Sequence, residues 1–193
     1  MPAMQALDGE ILLFIQDHLR TDLFSNFFIP YTNFGEAGVI WILIGVVLLF
    51  FVRTRKVGWM MLLSLLLCYL FNDHVLKVLV QRPRPFVTWT ELEPLIAHPN
   101  SYSFPSGHAC SSFAAATTCW RGLKGKGLDW FRWLMMVLAA LMAFSRLYVG
   151  VHYPTDVLCG LLVGVLGSSL IWYSLQRRYD QIEAAVLRKR AKG

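Results

Sequence analysis

Long apolar segments restrict this chain to folds that cross a lipid bilayer. Hydrophobic residues make up 56% of the 193 residues and charged residues only 16%, whereas about a quarter of a typical soluble domain is charged. A crossing helix takes about 20 apolar residues. Five segments fit or approach that length: 35–52, 57–80, 107–120, 128–147 and 154–175. The sequence therefore predicts an all-α integral membrane bundle with five transmembrane helices.

The N-terminal residues have a different pattern from the five spans. Apolar residues at positions 7, 11, 12, 15 and 19 share one helix face, but acids and His18 interrupt the segment. This pattern predicts an amphipathic helix lying in the membrane interface and makes a sixth span less favoured. The chain divides accordingly into an N-terminal interfacial segment (1–34), a membrane domain (35–176) and a basic tail (177–193).

Basic residues indicate the orientation of the spans. Most of the 18 lysines and arginines lie in the linkers 53–56 and 121–132 and in the tail. Because basic loops favour the cytoplasm, these segments are predicted to be cytoplasmic and the loop 81–104 to be extracytoplasmic. The net charge of +6 then reflects topology. We expect the bilayer as partner, no nucleic acid, and no obligate protein partner.

Three polar clusters meet on the predicted outer face, provided that the weak segment 107–120 crosses the membrane. They comprise Lys77, Arg84 and Pro85; Pro105, Ser106, Gly107 and His108; and Ser145, Arg146, His152 and Asp156. Ionisable residues at membrane depth usually mark functional sites. Three clustered cations, two of them arginines, suit a multiply charged anion such as phosphate.

The second cluster adds a helix terminus to this anion site. Ser106 is a favoured N-cap residue, and the free N–H groups and dipole of the helix that follows attract phosphate. Gly107 has no side chain and lets a ligand approach the backbone closely. Each cluster alone also fits a structural interpretation, as membrane-boundary anchors or helix caps. Their convergence on one face favours a phosphate site.

The two histidines can divide the work of phosphoryl transfer. A neutral His152 can attack phosphorus if Asp156, four residues later, holds its ring in the correct tautomer. His108 can then protonate the departing oxygen as general acid. Cations and backbone amides would stabilise the charge on the transferring group. This chemistry needs no metal and no cofactor.

The spacing of these residues resembles the three-part signature of the type-2 phosphatidic acid phosphatase superfamily, which also contains vanadium haloperoxidases. The matching positions are Lys77-x6-Arg84-Pro85, Pro105-Ser106-Gly107-His108 and Ser145-Arg146-x5-His152-x3-Asp156. The resemblance implies a phosphohistidine on His152, supported by Asp156, with His108 as acid. It also implies that the phosphate ligands are Lys77, Arg84, Ser106, Gly107, Ser145 and Arg146.

The resemblance further implies metal-independent hydrolysis of a lipid phosphate or diphosphate in the plasma membrane. Small bacterial members often act on undecaprenyl diphosphate at the outer leaflet, which makes it the expected substrate. Phosphatidylglycerol phosphate and phosphatidic acid are the alternatives. An anion or lipid transporter would more typically show internal repeats. Vanadium haloperoxidases are soluble, unlike this chain.

Overall fold

Every regular element in residues 3–190, the part of the chain that the computed structural model describes, is helical, which confirms the all-α prediction. Residues 1–2 and 191–193, the ends of the predicted N-terminal segment and basic tail, lie outside this range. The helices are α1 (Ala3–Leu19), α2 (Asp22–Phe34), α3 (Val39–Leu49), α4 (Arg55–Phe71), α5 (Lys77–Val80), α6 (Pro85–Thr88), α7 (Gly107–Gly122), α8 (Asp129–Tyr148) and α9 (Pro154–Arg190).

Three stretches in the described residues are long and apolar enough to cross a membrane. They are Arg55–Thr88, Asp129–Tyr148 and Pro154–Val186. A fourth crossing is possible where Asp22–Phe34 meets Glu36–Leu49 at a bend of 54°. Helix α7 has 16 residues and falls short of a crossing by length alone. The predicted count of five spans therefore stays a prediction.

Helix α7 lies at the centre of the bundle, where it packs against α4, α8 and α9. Its middle is made of small residues with no exposed surface, including Ala114, Ala115 and Ala116. Helix α9 approaches α7 so closely that a Cβ atom at Gly160 would overlap the carbonyl oxygen of Ser106, the N-cap of α7, and one at Gly164 would overlap the carbonyl oxygen of Cys110. The helix is weakly apolar because it faces other helices and not lipid, as small-residue packing predicts.

The N-terminal segment is helical, and the structure divides the predicted amphipathic helix into two helices, α1 and α2. The chain breaks after Leu19, and the hydroxyl of Thr21 caps α2 by accepting a hydrogen bond from the N–H of Phe24. This break follows from the strong N-cap preference of threonine before an aspartate. The apolar face of α1 packs Leu12 and Ile15 against the end of the bundle that carries the α8–α9 turn.

The turn between α8 and α9 directs a histidine back into the bundle. Gly150 adopts a φ of 77°, a left-handed conformation that glycine accepts without strain. The N–H of Gly150 then donates to the carbonyl of Leu147 at 3.0 Å, and the N–H of Val151 donates to the carbonyl of Arg146 at 3.2 Å. As a result His152 points inward and is only 2% exposed.

Candidate active site

A cavity of about 950 Å³ opens among α2, α4, α7 and the α8–α9 turn. One part of its wall is polar and the other is apolar. The polar wall includes Asp73, Lys77, Arg84, Gly107, His108, Arg146 and His152. The apolar wall includes Ile42, Leu62, Leu65 and Leu66. The cavity therefore joins a cationic chamber to an apolar surface contributed by α3 and α4.

The structure brings the predicted site residues together, although not all of them face the cavity. Lys77, Arg84, Gly107, His108, Arg146 and His152 line the cavity wall. Ser106, Ser145 and Asp156 are fully buried behind that wall. The three polar clusters, far apart in the chain, thus form one site.

His152 and Arg84 are in direct contact on the polar wall. Nη1 of Arg84 lies 3.0 Å from Nε2 of His152 and donates to the carbonyl of Val151 at 2.9 Å. The Arg84 Nε donates to the carbonyl of Ser101 at 2.8 Å, which fixes the guanidinium against the loop. Because an arginine can only donate, Nε2 presents its lone pair and the ring proton belongs on Nδ1.

Asp156 faces the other side of the His152 ring. Its Oδ2 lies 3.6 Å from Nδ1 of His152 and accepts hydrogen bonds from the N–H of Tyr153, at 2.9 Å, and from the hydroxyl of Ser103. Its Oδ1 accepts from Nη1 of Arg82 at 2.7 Å. The predicted neighbourhood of His152 and Asp156 is therefore present. Arg82 and Ser103 are partners that sequence reasoning did not assign to the site.

The environment of His152 holds the imidazole in its neutral form. The pKa of His152 is lowered from 6.5 to about 3, and burial in the α8–α9 turn is the largest cause of this shift. The contact with Asp156 opposes the shift, whereas the nearby Arg84 and Arg146 charges contribute to it. A neutral imidazole is the form that can act as a nucleophile.

This shift predicts how stability depends on pH. The unfolded chain binds a proton at His152 near pH 6.5, whereas the folded chain does so only near pH 3. Stability should therefore fall on acidification through this window, by up to about 1.4 kcal/mol per pH unit. Thermal unfolding midpoints in detergent, measured between about pH 7 and about pH 5, would test this. His152→Gln should show a shallower decline, and parallel declines in the two proteins would contradict the prediction.

Lys77 is held in place by a local distortion of its helix. Residues Asn72–Leu76 form a π-helical turn between α4 and α5, a feature common at functional sites. Lys77 forms a salt bridge with Asp73, as its i,i+4 spacing predicts. A Cβ atom built on Gly107 would lie 3.9 Å from Nζ of Lys77. The lysine therefore adjoins the N-terminus of α7.

Arg146 depends on a residue from helix α2. The guanidinium donates a hydrogen bond to the hydroxyl of Thr32, which is fully buried. The hydroxyl of Ser145 donates to the carbonyl of Met142 at 2.7 Å and lies 3.1 Å from the hydroxyl of Thr32. Sequence reasoning missed Thr32 because an isolated threonine in an amphipathic helix has no distinguishing pattern. Thr32 links the N-terminal helices to the third cluster.

The other predicted residues stand where the N-terminus of α7 meets the cavity. Ser106 caps the helix by accepting a hydrogen bond from the N–H of Ala109 at 3.4 Å, as predicted. The Ser106 N–H donates to the carbonyl of Asp156 at 3.0 Å, which ties α7 to α9. His108 follows on the cavity wall, and its Nε2 is buried with no hydrogen-bond partner in residues 3–190. A buried ring nitrogen without a partner makes His108 a candidate for proton exchange with a ligand.

Comparison with known proteins finds relatives that share this fold and match the segment containing the three clusters. The PAP2 superfamily matches residues 55–180, which contain all three clusters. The chain belongs to this superfamily. A crystal structure of the first transmembrane PAP2-type phosphatidylglycerolphosphate phosphatase from Bacillus subtilis superposes with a TM-score of 0.74 at 27% identity. The superposition covers 92% of this chain and 88% of the other. It confirms the membrane helical bundle.

Curated relatives with similar sequences have more than one substrate in their names. An undecaprenyl-diphosphatase from Sulfolobus acidocaldarius is 38% identical over 126 residues. That alignment covers 65% of this chain and 58% of the relative, so the chain spans little more than half of that relative's length. Phosphatidylglycerophosphatase B from Bacillus subtilis is 35% identical over 150 residues, which cover 74% of this chain and 64% of that protein.

Proposed function

We propose that this chain is an integral membrane lipid phosphatase that hydrolyses a lipid phosphate or diphosphate through a phosphohistidine on His152. The proposal depends on one observation: Nε2 of His152 contacts Arg84 on the wall of a cavity that is lined by cationic side chains. Lys77 and Arg146 complete the positive charge, and the cavity continues onto an apolar surface. A cavity of this kind suits a phosphate attached to a hydrocarbon chain.

In the first step of the proposed reaction, the lone pair on Nε2 of His152 attacks phosphorus and the bond to the leaving oxygen breaks. His108 donates the proton that the leaving oxygen needs. The imidazole ring becomes positively charged while the phosphoryl group is attached. Asp156 stabilises that charge because its Oδ2 lies 3.6 Å from Nδ1. The lipid product leaves as an alcohol or as a lipid monophosphate.

In the second step, water attacks the phosphohistidine and restores the enzyme. His108 takes a proton from the attacking water, the phosphorus–nitrogen bond breaks, and its electron pair returns to Nε2. Inorganic phosphate is released. Lys77, Arg84 and Arg146 stabilise the charge on the equatorial oxygens in both steps.

The remaining predicted ligands have supporting positions in this proposal. Gly107 faces the cavity and leaves space for phosphate at the N-terminus of α7. Ser106 and Ser145 are buried behind the wall. We propose that Ser106 acts by capping α7, and that Ser145 acts by fixing Thr32, the partner of Arg146.

Undecaprenyl diphosphate is the substrate we propose, with hydrolysis to undecaprenyl phosphate at the extracytoplasmic face. The name of the Sulfolobus relative supports this choice. The basic linkers and tail support a cytoplasmic C-terminus and an outward-facing site. Phosphatidylglycerol phosphate is the alternative that the two Bacillus proteins favour.

A lipid panel tests the proposal. Protein purified in detergent is given undecaprenyl diphosphate, phosphatidylglycerol phosphate or phosphatidic acid, each with and without EDTA, and released phosphate is measured. We expect release from at least one lipid, fastest from undecaprenyl diphosphate, and heat-denatured protein provides the background rate. Fastest release from phosphatidylglycerol phosphate would replace the proposed substrate. Release from none would overturn the phosphatase proposal, and loss of activity with EDTA would overturn its metal-free chemistry.

A further inference from the structure

Asp8 is a buried acid on helix α1 that the proposed reaction does not use. Its side chain is 3% exposed, although the helix lies at the edge of the bundle. Its Oδ2 accepts hydrogen bonds from Nη2 of Arg82, at 2.7 Å, and from the hydroxyl of Thr155. Its Oδ1 accepts from the N–H of Thr155 at 3.1 Å. A buried charge is costly unless it is paired in this way.

Close packing fixes the position of Asp8. The next residue, Gly9, lies so close to Trp89 that a Cβ atom there would overlap the indole ring. Leu12, one turn later, packs against Leu92 and Tyr153. Helix α1 is therefore seated against the loop after α6 and against the α8–α9 turn. The acid is placed by its helix and does not depend on a flexible loop.

Arg82 connects Asp8 to the carboxylate beside the proposed nucleophile. Its Nη1 donates to Oδ1 of Asp156 at 2.7 Å and to the hydroxyl of Thr155 at 2.7 Å. Its guanidinium carbon stacks 3.8 Å from the centre of the Tyr153 ring. The planar guanidinium thus joins two carboxylates, one on each side. The connection runs from α1 to the residue that faces His152.

The carboxylate of Asp8 affects the negative electrostatic potential that Asp156 exerts at His152. With Asp156 alone, the charge of Arg82 would be directed entirely at the carboxylate that must stabilise the His152 ring. Asp8 shares that charge, so Asp156 keeps more of its negative potential at Nδ1 of His152, which is 3.6 Å away. Asp8 also binds the Thr155 N–H in the first turn of α9, which steadies the backbone that carries Asp156.

We propose that Asp8 is a positioning residue for His152, acting through the contacts of Arg82 with Asp156. This inference rests on the proposed phosphohistidine reaction. It assigns helix α1 a role in catalysis in addition to its predicted location in the membrane interface. Asp8 does not line the cavity, so it should affect the chemical step and not substrate binding.

Asp8→Asn is expected to lower kcat by about tenfold or more, because the amide still fits but no longer shares the charge of Arg82. KM should stay within about twofold of the wild-type value, because the cationic wall is unchanged. The matched control is Glu10→Gln, which removes one exposed acid from the same helix and should leave kcat and KM unchanged. Phosphate release from the best lipid substrate measures both constants.

Two further variants separate positioning from simple loss of structure. Thr155→Val removes a hydroxyl that contacts both Asp8 and Arg82, and it should lower kcat by a few-fold at constant KM. Asp8→Asn and Arg82→Gln both act on Asp156, so their effects should not be independent. The fold-reduction in kcat of the double variant should therefore be smaller than the product of the fold-reductions of the two single variants. Thermal unfolding midpoints identify any variant that fails to fold.

The outcomes distinguish this inference from the proposed function. An active wild type with unchanged kcat in Asp8→Asn would overturn the role of Asp8 alone. A raised KM at unchanged kcat would do the same. If Asp8→Asn does not fold, Thr155→Val becomes the test of the inference. A kcat of Thr155→Val equal to that of the wild type would then overturn it. No phosphate release by the wild type would overturn the proposed function and, with it, the role of Asp8.

Discussion

Replacement of His152 by alanine is expected to reduce phosphate release by at least about 10⁴-fold, a typical cost of removing a nucleophile. The variant loses the Nε2 lone pair beside Arg84, and a buried water cannot form the covalent intermediate that divides the reaction into two steps. Initial rates with the best lipid substrate measure the loss. Brief reaction with ³²P-labelled substrate followed by acid-free denaturation should label the wild type and leave the variant unlabelled.

His98→Ala is the matched control for this experiment. His98 also borders the cavity, but its side chain is exposed and stacks on Phe86. Its removal should leave the rate within a few-fold of wild type. Labelled protein that persists in His152→Ala would contradict the proposal and move the nucleophile to another residue. Unfolding midpoints should establish that both variants remain folded.

The candidate site could be foreseen from the sequence only where its residues form a compact local pattern. The Ser106 cap and the Asp73–Lys77 pair are such patterns, because each depends on neighbours within one helical turn. Arg82 shares its segment with Arg84, but the sequence does not show which of the two faces Asp156. Thr32 and Asp8 have no local signal at all. Their contacts cross between 74 and 147 positions of the chain and arise only when the N-terminal helices pack.

The fold shows the same division between local and long-range effects. Apolar spans around α4, α8 and α9 are visible in the sequence because lipid-facing helices must be apolar along much of their surface. Helix α7 is less visible because its surroundings are other helices. The break between α1 and α2 was missed because the apolar face continues across it while Thr21 starts a new helix. The local N-cap at Thr21 thus determines where the helix begins, even though the periodic apolar pattern continues across that position.

Gly164→Ala is expected to lower the thermal unfolding midpoint by about 5–10 °C, as overpacking of a well-packed core costs about 1–3 kcal/mol. The new methyl group would overlap the carbonyl oxygen of Cys110 and lie 2.9 Å from the backbone nitrogen of Ala114. Backbone atoms cannot rotate away, so α9 must shift from α7. Because Gly107 and His108 stand at the start of α7, phosphate release should fall with stability.

Gly167→Ala supplies the comparison that isolates this packing effect. A Cβ atom there would meet only the sulfur of Cys68, at 2.8 Å, which is the end of a side chain that can move. Both substitutions raise helix propensity by about 1 kcal/mol, so that contribution cancels between them. Gly167→Ala should therefore keep or slightly raise the midpoint while Gly164→Ala lowers it. Equal midpoints would mean that α9 can move away from α7 at little cost, and that close packing does not hold the proposed phosphate-binding end of α7 in place.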